Sequence, residues 1–133
     1  MAVESFFTAL AASSSAGKIN ADALGAAVQA VLAGDDDATV ADAEQTAALK
    51  AGFEYATELV KTLVTDPAND DKLKLYAYFK RARDEQPAEP SFYQLESKYK
   101  YNAWKEISHI SQQRAQALYI EKVSSLVDSI GTK

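Results

Sequence analysis

The 133 residues suit one domain, long enough to bury roughly two-thirds of its unfolded surface without disulfide or metal staples. With no cysteine and one histidine, the chain excludes disulfide frameworks, thiolate metal sites, cysteine nucleophiles and most nucleophile–base pairs. The net charge of −5 belongs entirely to residues 1–50, while residues 51–133 balance at zero, so overall acidity does not argue against an anion site in the second part.

The chain divides by composition as well as charge. All seven tyrosines and the single tryptophan follow residue 50, whereas the first part is alanine-rich, with Phe6 and Phe7 as its only aromatics. Apolar runs are broken well short of the roughly 20 residues needed to span a bilayer, so a soluble protein is expected; the absence of cysteine permits a reducing compartment, and a cytoplasmic location is the expectation. The stretch Phe6-Phe7-Thr8-Ala9-Leu10 lacks a preceding positive region and follows Glu4, so no signal peptide is expected; the acidic, arginine-free first 50 residues do not suit a transit peptide either.

Residues 3–12 form a weak helix candidate. The next helix is better defined: Asn20 is placed to cap it, Leu24, Val28, Val31 and Leu32 fall at helical spacing, and Gly34 is placed to close it in a left-handed conformation. The run Asp35-Asp36-Asp37 reads as a break that places favourable negative charge before the following helix. Helical periodicity resumes near Thr39 and extends through Phe53, Ala56, Leu59 and Val60 to Leu63, weakened at Gly52 and ended by Thr65-Asp66-Pro67. A further helix is predicted from 69 or 70 to 83 or 84, carrying Leu73, Tyr76, Ala77, Phe79 and Lys80. Pro87 and Pro90 then impose a loop. Another helix covers about 96–108, and the last follows Ser111, a good N-cap, and repeats Ala115, Leu118, Tyr119, Val123, Leu126 and Ile130 before Gly131. Amphipathic helices without a strand pattern imply an all-α helical bundle. Residues 1–45 are expected to form a helical extension packed on a domain of 46–133, because the stripe from Leu24 to Leu32 needs a cover.

Tyr76 and Lys80 stand four apart and share a helix face, with Arg83 on the same side; Lys100 opens the next helix and Tyr119 lies within the apolar pattern of the last. By spacing alone, tyrosines at the rim of a core with solvated lysines account for this pattern better than a ligand cleft does, and spacing alone identifies no ligand.

Order and context carry more. The runs Leu73-x-x-Tyr76-x-x-Phe79-Lys80-x-Ala82, Lys100-Tyr101-Asn102-Ala103-Trp104 and Ala115-x-x-x-Tyr119-Ile120-x-Lys122-Val123, with Pro67-Ala68 before the first and Pro90 between the first two, resemble the acyl-CoA-binding protein family over 53–126. The resemblance implies an acyl-CoA-binding four-helix bundle to which residues 1–50 are an addition. It also implies that Tyr76, Lys80 and Lys100 meet the 3′-phosphate and ribose of CoA, that Tyr119 contacts the adenine nucleotide, and that Lys61 lies near the ligand. Ala77, Tyr78, Phe79 and Lys98 are counted with this head-group site, and Phe53, Thr57, Leu73 and Tyr99 with the acyl-chain groove. The chemistry suits the residue types: ammonium groups pair with phosphate, tyrosine rings stack on a base, and apolar walls cover alkyl carbons.

Two positions depart from the family pattern. Phe79 replaces a tyrosine and forgoes a hydroxyl worth about 0.5 to 1.5 kcal/mol; Glu96 replaces a lysine and has the wrong sign for phosphate, with Lys98 the nearest substitute. By resemblance the protein binds medium- and long-chain acyl-CoA, carries and pools it without a reaction or cofactor of its own, acts as a monomer, and meets membranes or acyl-CoA-using enzymes transiently. An enzyme is disfavoured because Glu106-x-x-His109 is half of a di-iron pattern that would need a second histidine, and His109 is expected at the surface. A helical protein-interaction module remains compatible with composition. Nucleic acid is disfavoured by net charge.

Overall fold

The computed structural model describes residues 3–91 and 93–133. Six α-helices follow in order: α1 (Glu4–Ala11), α2 (Ala21–Ala33), α3 (Ala43–Leu59), α4 (Asn69–Ala82), α5 (Leu95–Ile107) and α6 (Gln112–Ile130), with a 3₁₀ turn at Val60–Thr62 after α3. Among the described residues there is no strand beyond an isolated bridge between Leu63 and Thr132.

Local chemistry accounts for the ends. The Ala23 N–H donates to Asn20 Oδ1 at 3.0 Å and the Arg114 N–H to Ser111 Oγ at 3.0 Å, each satisfying one donor of a first turn. Gly131, at φ 87, ends α6, and the Val64 N–H donates to its carbonyl at 2.9 Å, pinning the C-terminus to the chain that follows α3.

Three sequence expectations are corrected here. Gly34 closes α2 in an extended conformation (φ −91, ψ −168), not a left-handed one. What it requires is room, since a Cβ there would come 2.7 Å from the Ala38 Cβ. Second, α3 starts at Ala43 and not near Thr39, because Asp42 accepts the Gln45 N–H at 2.9 Å and so caps the helix; the aspartate run 35–37 lies too far upstream to serve that end. Third, α3 stops at Leu59 and tightens into the 3₁₀ turn before Leu63. Gly52, by contrast, does not interrupt α3. A Cβ there would approach both methyl carbons of Leu24 to 2.7 Å, so the missing side chain is what lets α2 lie close against α3.

The helices form three layers. The central pair α3 and α6 packs together, α1 and α2 cover one side of it, and α4 with α5 cover the other through α4 against α6. One core runs through the first two layers: Phe6, Leu24, Val28 and Val31 are buried with Leu49, Ile120 and Val123. Phe6 meets the rings of Phe7 and Tyr55 edge-on at 5.5 Å each, and its N–H donates to Ser124 Oγ at 3.0 Å. The apolar stripe of α2 is therefore covered from within the same chain.

Arg114 ties the first layer to the second. Its Nη1 donates to the carbonyls of Val31, Gly34 and Asp35 at 2.9, 3.1 and 3.2 Å, satisfying groups that the C-terminus of α2 leaves open. His109 is exposed as expected, and its Nε2 lies 3.1 Å from Asp36 Oδ2 on the same strap. No group of three or more His, Asp or Glu that could hold a metal occurs among the described residues.

Candidate functional site

Helix α4 turns about 100° per residue, which places Tyr76 and Lys80 on a strip flanked by Phe79 and Arg83 on one side and by Leu73 and Ala77 on the other. Helix α5 brings Lys100 onto the same strip. The ammonium groups of Lys80 and Lys100 lie 5.9 and 5.6 Å from the centroid of the Tyr76 ring, within cation–π range. Positive potential is thus gathered around one aromatic ring by residues 20 and 24 positions apart in sequence.

Each of these cations has a carboxylate beside it. Lys80 Nζ is 3.4 Å from Glu85 Oε1, and Lys100 Nζ is 3.5 Å from Glu96 Oε1 one turn earlier on α5. Glu96 therefore acts as a counter-charge to Lys100. Glu85 is positioned by the way α4 ends: its N–H donates to the Lys80 carbonyl at 2.8 Å and the Asp84 N–H to the Arg81 carbonyl at 3.0 Å, while Asp84 is left-handed at φ 56. That pair of bonds is a Schellman closure, usually made with glycine at the left-handed residue; aspartate there costs on the order of 1 kcal/mol.

On the Phe79 side the strip meets the central pair of helices. Phe53 of α3, Phe79 of α4 and Tyr119 of α6 form an aromatic triangle with centroid separations of 5.1, 6.0 and 6.3 Å. Phe53 and Tyr119 are its buried members, and burial pushes the Tyr119 hydroxyl up to about 12. Phe79 is partly exposed and carries the Arg83 guanidinium 5.1 Å above its ring. Beside them opens a cleft of about 480 Å³ that includes Phe53, Thr57, Phe79 and Arg83 in its wall, together with Lys50, Gln112 and Gln116. The two glutamines also donate to the Ala82 carbonyl, at 3.0 and 3.3 Å, and so hold the end of α4 against α6.

On the other side of α4, facing α5, a second cleft of about 420 Å³ is lined by Leu73, Ala77, Tyr78, Tyr99, Ala103 and Ile107 among others. Burial raises the Tyr78 hydroxyl above the usual tyrosine range, opposed by the charge of Lys122 and aided by that of Glu121.

The structure therefore joins Tyr76, Lys80 and Lys100, and joins Phe53, Phe79 and Tyr119, with Lys80 and Phe79 on adjacent strips of one helix. It divides the four positions expected beside an acyl chain: Phe53 and Thr57 line the first cleft, Leu73 and Tyr99 the second. Lys98 lies with Glu89, Pro90, Tyr101 and Lys105 around a third, smaller cleft of about 350 Å³. Lys61 projects from the 3₁₀ turn and pairs with Glu58 at 3.4 Å. Glu85, Gln112 and Gln116 escape the sequence reading; Glu85 is set by the left-handed Asp84 before it, a conformation that aspartate tolerates better than most residues but that the sequence does not announce.

The family model described as acyl CoA binding protein matches residues 50–123. The chain is 38% identical over 86 residues to the acyl-CoA-binding protein of Gossypium hirsutum, a match covering 63% of this chain and 97% of that one. It is 38% identical over 81 residues to the acyl-CoA-binding protein homolog 1 of Caenorhabditis elegans, covering 59% and 94% respectively. The crystal structure of Oryza sativa acyl-CoA-binding protein 2 superposes with a TM-score of 0.57 at 36% identity, over 61% of this chain and 92% of that one. Ordered motifs, helical architecture and relatives agree, and the chain belongs to the acyl-CoA-binding protein family.

Proposed function

We propose that this protein binds medium- and long-chain fatty acyl-CoA esters, one per chain, and serves as a carrier and pool former for them in the cytoplasm. The observation that carries this reading is the Tyr76 ring flanked by Lys80 and Lys100 from two different helices. Two ammonium groups and a phenol suit the 3′-phosphate and ribose of CoA, because a phosphate accepts several charge-assisted hydrogen bonds at once. The adenine base belongs on the adjoining Phe79 face, at the mouth of the cleft shared with Phe53, where Tyr119 supports the ring from beneath and stays neutral.

The acyl chain is assigned to the second cleft, between α4 and α5, in which Leu73, Ala77, Ala103 and Ile107 form the apolar part of the wall. Burying ten methylenes there contributes on the order of 8 kcal/mol before ordering costs, so long chains bind best. Under this assignment Thr57 faces the nucleotide, and Lys61 and Lys98 contribute through long-range charge only. The protein performs no reaction, needs no cofactor, works as a monomer and meets membranes and acyl-CoA-using enzymes transiently. Among the described residues no helix is long and apolar enough to cross a membrane.

Titration with palmitoyl-CoA tests the reading. Saturable one-to-one binding by calorimetry and native mass spectrometry, with a change in Trp104 fluorescence, is expected. Absence of a one-to-one adduct at micromolar protein would overturn it.

A further inference from the structure

Glu85 touches two cations of the α4 face at once, with Oε1 3.4 Å from Lys80 Nζ and Oε2 3.5 Å from Arg83 Nη2. The backbone aims it there. In the closure that ends α4, the residue after the left-handed position is folded back against the residue five places earlier, and that contact is ordinarily apolar. Here the two residues are Glu85 and Lys80, and the contact is an ion pair.

Resting on the reading that Lys80 meets the 3′-phosphate of CoA, we propose that Glu85 is an internal competitor for that phosphate. It holds Lys80 and Arg83 until the ligand displaces it, and so lowers affinity and speeds release. A phosphate monoester carries about −1.5 to −2 charges near neutral pH and outbids a single carboxylate. The bound complex is therefore favoured, but by less than if Lys80 and Arg83 had no internal anion to give up. The displaced carboxylate is 39% exposed and can turn into water. Arg83, already stacked on Phe79 beside the first cleft, then becomes a second cation for the nucleotide.

Glu96 offers a comparison. It faces Lys100 at a similar distance, but its side chain is 87% exposed, against 39% for Glu85, so water and salt screen its pairing more completely. Its competition for the ligand is weaker.

The experiment measures affinity and dissociation rate for palmitoyl-CoA and for palmitoyl-dephospho-CoA, which lacks the 3′-phosphate. The proteins are wild type, Glu85→Gln, Asp84→Gly and Lys80→Met, each checked for folding by circular dichroism. Glu85→Gln is expected to bind palmitoyl-CoA about threefold to fivefold tighter and release it correspondingly more slowly. No such gain is expected for the dephospho ester. Asp84→Gly keeps the turn and leaves affinity unchanged. Lys80→Met is expected to bind palmitoyl-CoA more weakly, and that loss leaves the head-group reading standing even where wild-type or weaker binding by Glu85→Gln, or an equal gain on both esters, overturns the proposal. If Lys80→Met binds both esters as wild type does, the head-group reading falls and takes the competition with it.

Discussion

Lys100 on α5 sets its ammonium 5.6 Å from the centre of the Tyr76 ring on α4, whereas Lys98, two residues earlier, lies with Pro90 and Tyr101 at a separate cleft. Residues two apart on a helix face different ways, so the two lysines are not interchangeable. Lys100→Met is expected to weaken palmitoyl-CoA binding about tenfold, the worth of one charge-assisted phosphate contact. Lys98→Met should cost less than about twofold and change mainly the salt dependence. Calorimetry at two salt concentrations decides it; equal losses for both lysines would remove the basis for placing the phosphate at Tyr76.

The N-terminal helices make a separable prediction. Phe6 is fully buried against Tyr55 and Ser124, on the opposite side of the α3–α6 layer from α4. Phe6→Ala should therefore destabilise the fold by about 3 to 5 kcal/mol in chemical denaturation. Ligand affinity in native buffer should stay within about twofold, because the cavity opens a full layer away from the ligand face. A stable variant, or a folded one with lost affinity, contradicts that division.

Gly52→Ala sets two effects of opposite sign against each other. Alanine improves helix propensity by about 1 kcal/mol, but its Cβ would stand 2.7 Å from two carbons of Leu24, which is itself fully buried and has nowhere to retreat. Overpacking of this kind costs about 1 to 3 kcal/mol, so a net loss of about 1 kcal/mol is expected. A higher melting temperature for this variant would show that α2 can shift away from α3 freely.

Alkaline pH should destabilise the protein through its buried tyrosines. Burial holds the Tyr119 hydroxyl up to about 12 and raises Tyr78 as well, so the native state keeps protons that the unfolded chain releases from about pH 10. Between those limits the unfolded state binds fewer protons than the native one, and stability falls as pH rises. Denaturation midpoints measured from about pH 9 to about pH 11 should decline, and tyrosinate absorbance should show slow, unfolding-limited ionisation of the last tyrosines. Midpoints that stay level across this range would contradict it.

Much of this architecture is legible in the residues. Asn20, Ser111 and Gly131 mark helix ends through short-range chemistry, and the apolar periods of α2 and α6 announce buried faces. The Tyr76–Lys80 spacing reveals a shared face, and motif order supplies Lys100 from the next helix. Other features depend on partners far away in sequence. Gly34 is a local exception: it reads as a left-handed cap, but the loop that follows brings Ala38 back against it, so the position demands space instead. Arg114 reads as one more charge on α6, since nothing local tells that its guanidinium will meet three carbonyls about 80 residues earlier. The split of Phe53 and Thr57 from Leu73 and Tyr99 likewise follows from tertiary packing, because the clefts they line open on different sides of α4.

The layer formed by α1 and α2 bears on how this chain can diverge from its relatives. Gly52, Tyr55, Arg114 and Ser124 answer to Leu24, Phe6 and the end of α2. Substitution at these four positions is thus constrained by a different set of neighbours from those that constrain Tyr76, Lys80 and Lys100. The two walls of one bundle thus answer to separate neighbours, one to the proposed ligand and the other to the helices α1 and α2.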